Sequence, residues 1–352
     1  MKLSKLAINV LVIFGLLGLN QVAAFAELPD NLLSLPEWEV TSGSYGGKLL
    51  LSDSPEMVSN DGIMYQDTVV GHARLFFHHV NATTTNKRVV AVLENSGEQA
   101  AKVTVYRSSL GGPGEDWIAV GKAAQTGYLG KSQLYVVTVP PHGVELLSSE
   151  LGKVVVKPNM LVNGIYDFVS DRPVTVRTMM LSAGKSVESF VKKAKVLPAD
   201  EQHLRGTFDG CDRLIISTKV YNPLKDGPVA VTLADNVIDK YVNGIDATDG
   251  SKVCNYGNYG IVYKLFLPAT DTGKIVYYLN PRGGTYAGAM GIKYRHTSLL
   301  PVETPDGRLF MGQATERDYS VVGSFPAGES LWLTFSPPGA SNLPVKLIIM
   351  PE

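Results

Sequence analysis

The stretch that decides the fold is residues 71–112, which read GHARLFFHHVNATTTNKRVVAVLENSGEQAAKVTVYRSSLGG. It holds three runs rich in β-branched and aromatic residues, namely RLFFHHV, RVVAVLE and KVTVYR. The turns between them are too short for crossover helices, so the pattern predicts antiparallel neighbours with a hairpin-type turn at ENSGEQ. Val103 and Val105 alternate with polar residues, which predicts one buried face. The apolar run after Arg88 predicts a strand covered on both faces.

The rest of the chain continues this pattern of short strands and Gly/Pro-rich turns. It predicts an all-β fold of two β-sandwich-like domains in series, over 27–200 and 201–352. A short connecting helix is expected near 186–196, where apolar residues recur at helical spacing after a serine N-cap. Two further helices are expected, over 115–126 and over 233–242.

A weak internal repeat accompanies the two predicted domains. Leu93 of VAVLEN precedes the Pro-His-Gly strand entry at Gly143 by 50 residues, and Leu279 of VYYLNP precedes the Pro-Ala-Gly entry at Gly328 by 49. The matched spacing favours a diverged duplication. The alternative is that such strand entries recur in any β protein, and the spacing does not exclude it.

The first 26 residues resemble a secretory signal. Lys2 and Lys5 precede an apolar run over 6–19, and Ala24-Phe25-Ala26 supplies a small-residue cleavage site. The run is shorter than the roughly 20 residues of a membrane span, although an uncleaved anchor is the alternative. We therefore expect a signal peptide over 1–26, no membrane span after its removal, and an extracytoplasmic location, whether secreted, periplasmic or cell-surface.

Charge excludes one class of partner. With Lys2 and Lys5 removed, 30 basic residues remain against 33 acidic ones, a net charge of −3. A nucleic-acid-binding protein needs a basic stripe, so no nucleic acid is expected. Charged residues make up 18% of the chain, which favours recognition through hydroxyls, amides and aromatic rings.

Cys211 and Cys254 are the two cysteines of the chain. In an oxidising compartment an even pair favours a disulfide, and we expect one structural bridge between them. Two separate buried thiols are the alternative.

No catalytic motif stands out. The sequence contains no G-x-S-x-G or H-E-x-x-H pattern. His78 and His79 point to opposite faces of their predicted strand, so they do not form a metal pair. We expect neither a metal nor another cofactor, and no catalytic residue is assigned.

Three clusters combine aromatic rings with amides or charges, a combination by which rigid β scaffolds bind sugars or peptides. The candidate ligand-binding residues are Asp116, Trp117, Gln125 and Tyr128, then Tyr256 and Tyr259, then Arg282 and Tyr286. The alternative is structural, because Tyr and Trp often close the ends of sandwiches.

Asp200, His203 and Arg205 follow the connecting helix, and we expect them to join the two domains. The competing hypothesis makes them part of a hydrolase site in the interdomain cleft.

Several segments carry a family resemblance, among them LENSGEQAAKVTVYRSSLGGPGEDWIAVGKAAQ, YGNYGIVYKLFLP, YYLNPRGGTYAG and SPPGASNLPVKLIIMP. In these the chain resembles a class of secreted, β-rich bacterial proteins often found downstream of a copper amine oxidase N-terminal-like stalk domain. The resemblance implies export and an envelope setting. It implies no catalytic residue and no copper chemistry. Together with the clusters, it favours a non-enzymatic binding or structural module that recognises an envelope glycan or protein through loops at the sandwich ends.

Overall fold

The computed structural model describes residues 31–313 and 317–352. The expected signal peptide over 1–26 lies outside these residues. In chain order the strands are β1 Val40–Tyr45, β2 Lys48–Ser52, β3 Met57–Val58, β4 Gly62–Asn81, β5 Lys87–Asn95, β6 Ala101–Gly114, β7 Tyr135–Val139, β8 Gly143–Leu146, β9 Leu161–Ser182, β10 Arg205–Asp209, β11 Asp212–Ser217, β12 Val229–Leu233, β13 Asn243–Ile245, β14 Lys252–Cys254, β15 Val262–Phe266, β16 Lys274–Pro281, β17 Gly288–Tyr294, β18 Thr297–Ser298, β19 Val302–Thr304, β20 Ser320–Pro326, β21 Leu331–Phe335 and β22 Val345–Pro351. The helices are α1 Trp117–Leu129 and α2 Val187–Val191, with 3-10 turns at Leu32–Ser34 and Leu151–Lys153.

The predicted all-β class is confirmed. Among the described residues the strands form three sheets of eleven, seven and four strands, and α-helix is confined to α1 and α2. No helix in this part of the chain has the length and apolar character needed to cross a membrane.

The eleven-stranded sheet is built on β9. Strand β4 pairs along one edge of β9, while β5 and β6 pair in sequence along the other edge. The three predicted strands are therefore present, but they are not neighbours of one another. Each is antiparallel to β9, so β5 and β6 run in the same direction.

The predicted hairpin at ENSGEQ is consequently wrong, because the chain bends there without reversing. Asn95 fixes the bend, since its side-chain amide donates to the carbonyl oxygens of Gln99 at 2.8 Å and Val139 at 3.2 Å. Turn-forming residues permit a change of direction, but they do not choose between a hairpin and a bend.

Burial follows the predicted faces. Val89, Ala91 and Leu93 of β5 enter one apolar core, while Val90 and Val92 pack into another with residues of α2, so both faces of β5 are covered as predicted. The seven-stranded sheet packs one face against the four-stranded sheet in the largest core. Its order is β1-β11-β15-β21-β17-β18, with β19 beside β17.

Strand pairing crosses the expected domain boundary near residue 200. Strand β1 pairs with β11, and β2 pairs with β10. The duplication is not confirmed, because strands at equal spacing have different partners: β8 pairs with β5, whereas β21 pairs with β15 and β17. The division into 27–200 and 201–352 stays a prediction.

Two helix predictions are confirmed and one is wrong. Asp116 caps α1 by accepting from the backbone N–H of Ala119 at 3.0 Å, and Ser186 caps α2. Residues 233–242 form no helix; β12 ends there and turns follow. Asp235 accepts three backbone N–H groups of this segment, a side-chain alternative to helical hydrogen bonds.

The predicted disulfide is also wrong, because both cysteines are free. Cys211 is buried in the turn before β11, where its N–H donates to the carbonyl oxygen of Gly47. Cys254 is the last residue of β14, an edge strand of the eleven-stranded sheet, and pairs with Asn243 of the neighbouring β13. Even cysteine number indicates nothing about distance, and the fold places Cys211 in the turn between β10 and β11 but Cys254 on β14, at the edge of the eleven-stranded sheet.

Candidate functional site

A cleft of about 610 Å³ lies between the open face of the seven-stranded sheet and the eleven-stranded sheet. The seven-stranded sheet supplies its floor, and β4, β6, β9 and α1 supply its wall. The volume is in the range of ligand sites in proteins. The lining is mixed, with four cationic side chains, two carboxylates and four aromatic rings: Arg74, Arg107, Lys264, Lys293, Asp167, Asp212, Tyr45, Tyr106, Tyr128 and Trp332.

Strand alternation creates the floor. Leu331, Leu333 and Phe335 point into the core, so Trp332 on the same strand points to the open face. Phe266 lies directly opposite Trp332 in the β15–β21 register, and their rings stack at 4.8 Å between centroids with an interplanar angle of 25°. Both side chains are only half-buried. Phe266 therefore covers one face of the Trp332 indole, and Trp332 is the member of the pair that lines the cleft.

Two lysines flank this stack. Lys293 of β17 pairs in register with Trp332, and Lys264 lies two residues before Phe266 on the same face of β15. Lys293 is exposed, whereas Lys264 is half-buried. Burial lowers the pKa of Lys264; the nearby Asp212 opposes this shift, and the Arg107 guanidinium adds to it.

The wall is held by one buried ion-pair network. Arg74 is 3% exposed and binds Asp167 through Nε at 2.6 Å and Nη2 at 3.1 Å. Its Nη2 also donates to Asp212 at 2.9 Å, and its Nη1 donates to the carbonyl oxygens of Cys211 and Gly260. Because Asp212 begins β11 and Cys211 directly precedes it, this one side chain ties the two sheets together beside the cleft.

Tyr128 completes the wall. Its hydroxyl donates to Asp167 Oδ2 at 2.6 Å, and the guanidinium carbons of Arg74 and Arg107 lie 5.5 and 5.4 Å from its ring centre. Burial raises the pKa of Tyr128 well above its ordinary value, which keeps the hydroxyl protonated as a donor. The Nη1 of Arg107 donates to the carbonyl oxygen of Tyr128 at 2.6 Å, so the arginine is anchored to α1.

Of the first predicted cluster, Tyr128 alone reaches the cleft. Asp116 is the cap of α1, and Trp117 donates to the carbonyl oxygen of Asn159 at 3.2 Å. Gln125 is buried and bridges β17 and β21 through Ala289 N–H and Ser336 carbonyl. Gln125 presents no polar atom to a ligand in this arrangement.

The other two clusters are separated from the cleft. Tyr256 is 54% exposed and lines a different, shallow groove along β2, β10, β13 and β14. Tyr259 donates to the carbonyl oxygen of Ser341 at 2.7 Å, and the backbone N–H of Arg282 donates to Pro344 at 2.9 Å. Tyr286 is fully buried in the largest core. These positions support structural roles for Tyr259 and Tyr286, and we assign them no ligand contact.

Asp200, His203 and Arg205 contribute to a network of structural contacts. Asp200 accepts from Ser54 Oγ at 2.8 Å and from the backbone N–H of Glu56. His203 Nε2 and Arg205 Nε share Asp246 Oδ2 at 2.9 and 2.6 Å.

Asp249 lies close enough to His203 and Asp246 to form a three-ligand group within the described residues. Both Asp246 oxygens already accept hydrogen bonds, Oδ2 from His203 and Arg205 and Oδ1 from Thr248. These contacts explain why the segment after α2 is fixed.

Sequence reasoning missed most of the cleft. Lys264, Lys293 and Trp332 lie on β15, β17 and β21, and Phe266 supports the Trp332 ring. The signal in the sequence is Trp332 itself, which alternates with the apolar Leu331 and Leu333 and therefore points away from the core. The sequence favoured binding through loops at the sandwich ends, whereas this surface lies on a sheet face.

No family model and no curated protein matches this chain. Among solved structures, a Paenibacillus xanthan lyase aligns over 91% of this chain and 26% of its own, at 10% identity and a TM-score of 0.21. A cupin 2 conserved barrel domain protein from Leptotrichia buccalis aligns over 92% of this chain and 93% of its own, at 7% identity and a TM-score of 0.12. The chain therefore spans about a quarter of the lyase. Scores this low support no argument about fold or function, so the site is interpreted from its own chemistry.

Proposed function

We propose that this chain is an exported, non-enzymatic binding module of the cell envelope that recognises a glycan in the cleft. The observation that carries the proposal is the half-buried Trp332 ring, which lines the cleft and is held by its stack on Phe266. A sugar ring has an apolar face of C–H groups and a rim of hydroxyls. An aromatic ring suits the face, and charged or hydroxyl side chains around it suit the rim.

The rim of the stack is polar. Thr334 lies two residues after Trp332 on the same face of β21, and Ser298 and Lys293 line the same cleft. Tyr106 adds a hydroxyl from the wall, and burial raises its pKa to about 12, so it remains a neutral donor at ordinary pH. The wall is rigid because Arg74 and its carboxylates fix it. A preformed site loses little entropy when a ligand binds.

The hydrolase alternative has weaker support. His203 and Arg205 both bind the buried Asp246, a contact that accounts for both side chains structurally. Export and an envelope location continue to depend on the sequence resemblance and the signal-like first 26 residues. Recognition is proposed on strands of the sheet face, whereas the sequence favoured loops at the sandwich ends.

The test is binding of neutral and acidic oligosaccharides by isothermal titration calorimetry, with the wild-type chain and Trp332→Ala. Loss of the ring is expected to weaken binding at least about tenfold, or ~1.4 kcal/mol. Tyr256→Ala is the matched control, because it removes an exposed ring in the other groove. Equal affinity of Trp332→Ala and wild type, or loss of binding in Tyr256→Ala alone, would overturn the assignment of the cleft.

A further inference from the structure

Charges on the lining of the cleft are incompletely paired. Both of its carboxylates, Asp167 and Asp212, are bound to Arg74. Arg107, Lys264 and Lys293 have no carboxylate within 4.0 Å among residues 31–313 and 317–352. Three cations therefore surround the aromatic floor without a protein counter-ion, and the cleft is a positively charged pocket in a chain of near-neutral net charge.

Arg107 has two N–H donor groups on one edge of its guanidinium that are not used by the described part of the protein. Its Nη1 is used by the carbonyl oxygens of Tyr128 and Gly130, while Nε and Nη2 have no acceptor among the described residues. In Arg74 the same two atoms, Nε and Nη2, donate one hydrogen bond to each carboxylate oxygen of Asp167. The anchored Nη1 holds the guanidinium of Arg107 in place, so its free edge is preorganised for a planar two-oxygen acceptor.

Lys264 adds a second constraint. It is half-buried on the floor, and its ammonium is close enough to Arg107 for the two charges to repel. Partial burial of a cation without a counter-ion is unfavourable, and an incoming anion would relieve both the desolvation and the repulsion. Burial is the first cause of the lowered pKa of Lys264; Asp212 opposes the shift, and Arg107 adds to it.

We infer that the cleft recognises an acidic glycan, with a sugar carboxylate bound by Arg107 and Lys264 while an adjacent ring stacks on Trp332. This inference rests on the proposed function and narrows its ligand to carboxylated sugars such as uronic acids. A carboxylate matches the planar fork of Arg107 in the way that Asp167 matches Arg74. Lys293, at the exposed side of the stack, would meet a neighbouring charged residue of the same chain.

The experiment compares two forms of one ligand. Oligogalacturonate and its methyl ester share rings and linkages, but the ester carries no charge. Oligomannuronate and hyaluronan oligosaccharides extend the acidic set, and cello-oligosaccharides and galactan oligosaccharides supply neutral rings. Affinities are measured by calorimetry at low and high salt. At least one carboxylated ligand is expected to bind at least about tenfold more tightly than its ester, and to weaken as salt screens the charges.

Variants separate charge from stacking. Lys264→Gln is expected to weaken the acid form about tenfold and leave the ester unchanged, while Lys264→Arg restores binding. Arg107→Lys keeps the charge but removes the fork, so it should also weaken the acid form. Lys225→Gln, an exposed lysine outside the cleft, is the control for net charge. Circular dichroism verifies that each variant is folded.

Each outcome has a distinct meaning. Equal binding of acid and ester, with both lost in Trp332→Ala, would overturn the acidic-sugar inference and leave the proposed function standing. Binding of neutral oligosaccharides alone would do the same. Binding of dextran sulfate as tightly as any uronate, or equal losses in Lys225→Gln and Lys264→Gln, would show general polyanion attraction and overturn the inference. Absence of binding to every acidic and neutral oligosaccharide would overturn both.

Discussion

Arg74→Met should be one of the most damaging single substitutions in this protein. The side chain is 3% exposed and binds two carboxylates, Asp167 and Asp212, and the carbonyl oxygens of Cys211 and Gly260. Removing one partner of a buried ion pair costs about 3–5 kcal/mol, because the other charge stays buried without compensation. Against a usual total of about 5–15 kcal/mol, the chain would lose a large share of its stability.

The geometry provides graded variants. Arg74→Lys keeps the positive charge but not the fork, so the two Asp167 oxygens cannot both be bound, and we expect a smaller loss of about 1–3 kcal/mol. The double variant Arg74→Met with Asp167→Asn removes the isolated carboxylate while leaving an oxygen for the Tyr128 hydroxyl. It should recover at least ~1 kcal/mol relative to Arg74→Met alone.

Urea unfolding, followed by tryptophan fluorescence and circular dichroism, measures these free energies. Two results would refute the reasoning. One is a loss below about 1 kcal/mol for Arg74→Met, which would mean that the network does not hold the sheets together. The other is a double variant no more stable than the single one, which would mean that the cost does not arise from an uncompensated carboxylate.

Two other predictions follow from buried groups. Burial lowers the pKa of His78 to about 3 and of His79 to about 4. Between these values and the ordinary pKa of about 6.5, both histidines are protonated in the unfolded chain but neutral in the native state. The free energy of unfolding should therefore fall as pH drops below about 6.5, by ~1.4 kcal/mol per pH unit for each histidine, until the pH approaches that histidine's native pKa. The ring NMR signals of both histidines should not shift between about pH 8 and about pH 5, and a shift there would contradict the prediction. Gly121→Ala should destabilise the protein although alanine has the better helix propensity, because a Cβ at this position would lie 1.8 Å from the carbonyl oxygen of Gly339. The urea midpoint of this variant is compared with that of Gly184→Ala, where a Cβ would meet nothing within 4 Å. A higher midpoint for Gly121→Ala than for the wild type would contradict the prediction.

Local patterns determined a good part of the fold. The β class, the strands over residues 71–112, the two-faced burial of β5 and the buried face of β6 at Val103 and Val105 follow from local side-chain patterns, which extend over a few residues. The caps of α1 and α2 are equally local, since Asp116 and Ser186 bond to backbone three residues ahead. Interactions of this kind join residues that are close in sequence, so they can be predicted from the sequence alone.

The site needed the tertiary structure. Arg74 and Asp167 are 93 residues apart in sequence, and Arg74 and Asp212 are 138 apart. Nothing local shows that β9 separates β4 from β5 and β6, that the two cysteines are unbonded, or that Trp332 and Arg107 line one cleft. Strand partners are selected by the total packing of the sheets, and sequence alternation fixes which face a residue occupies without fixing what lies opposite that face.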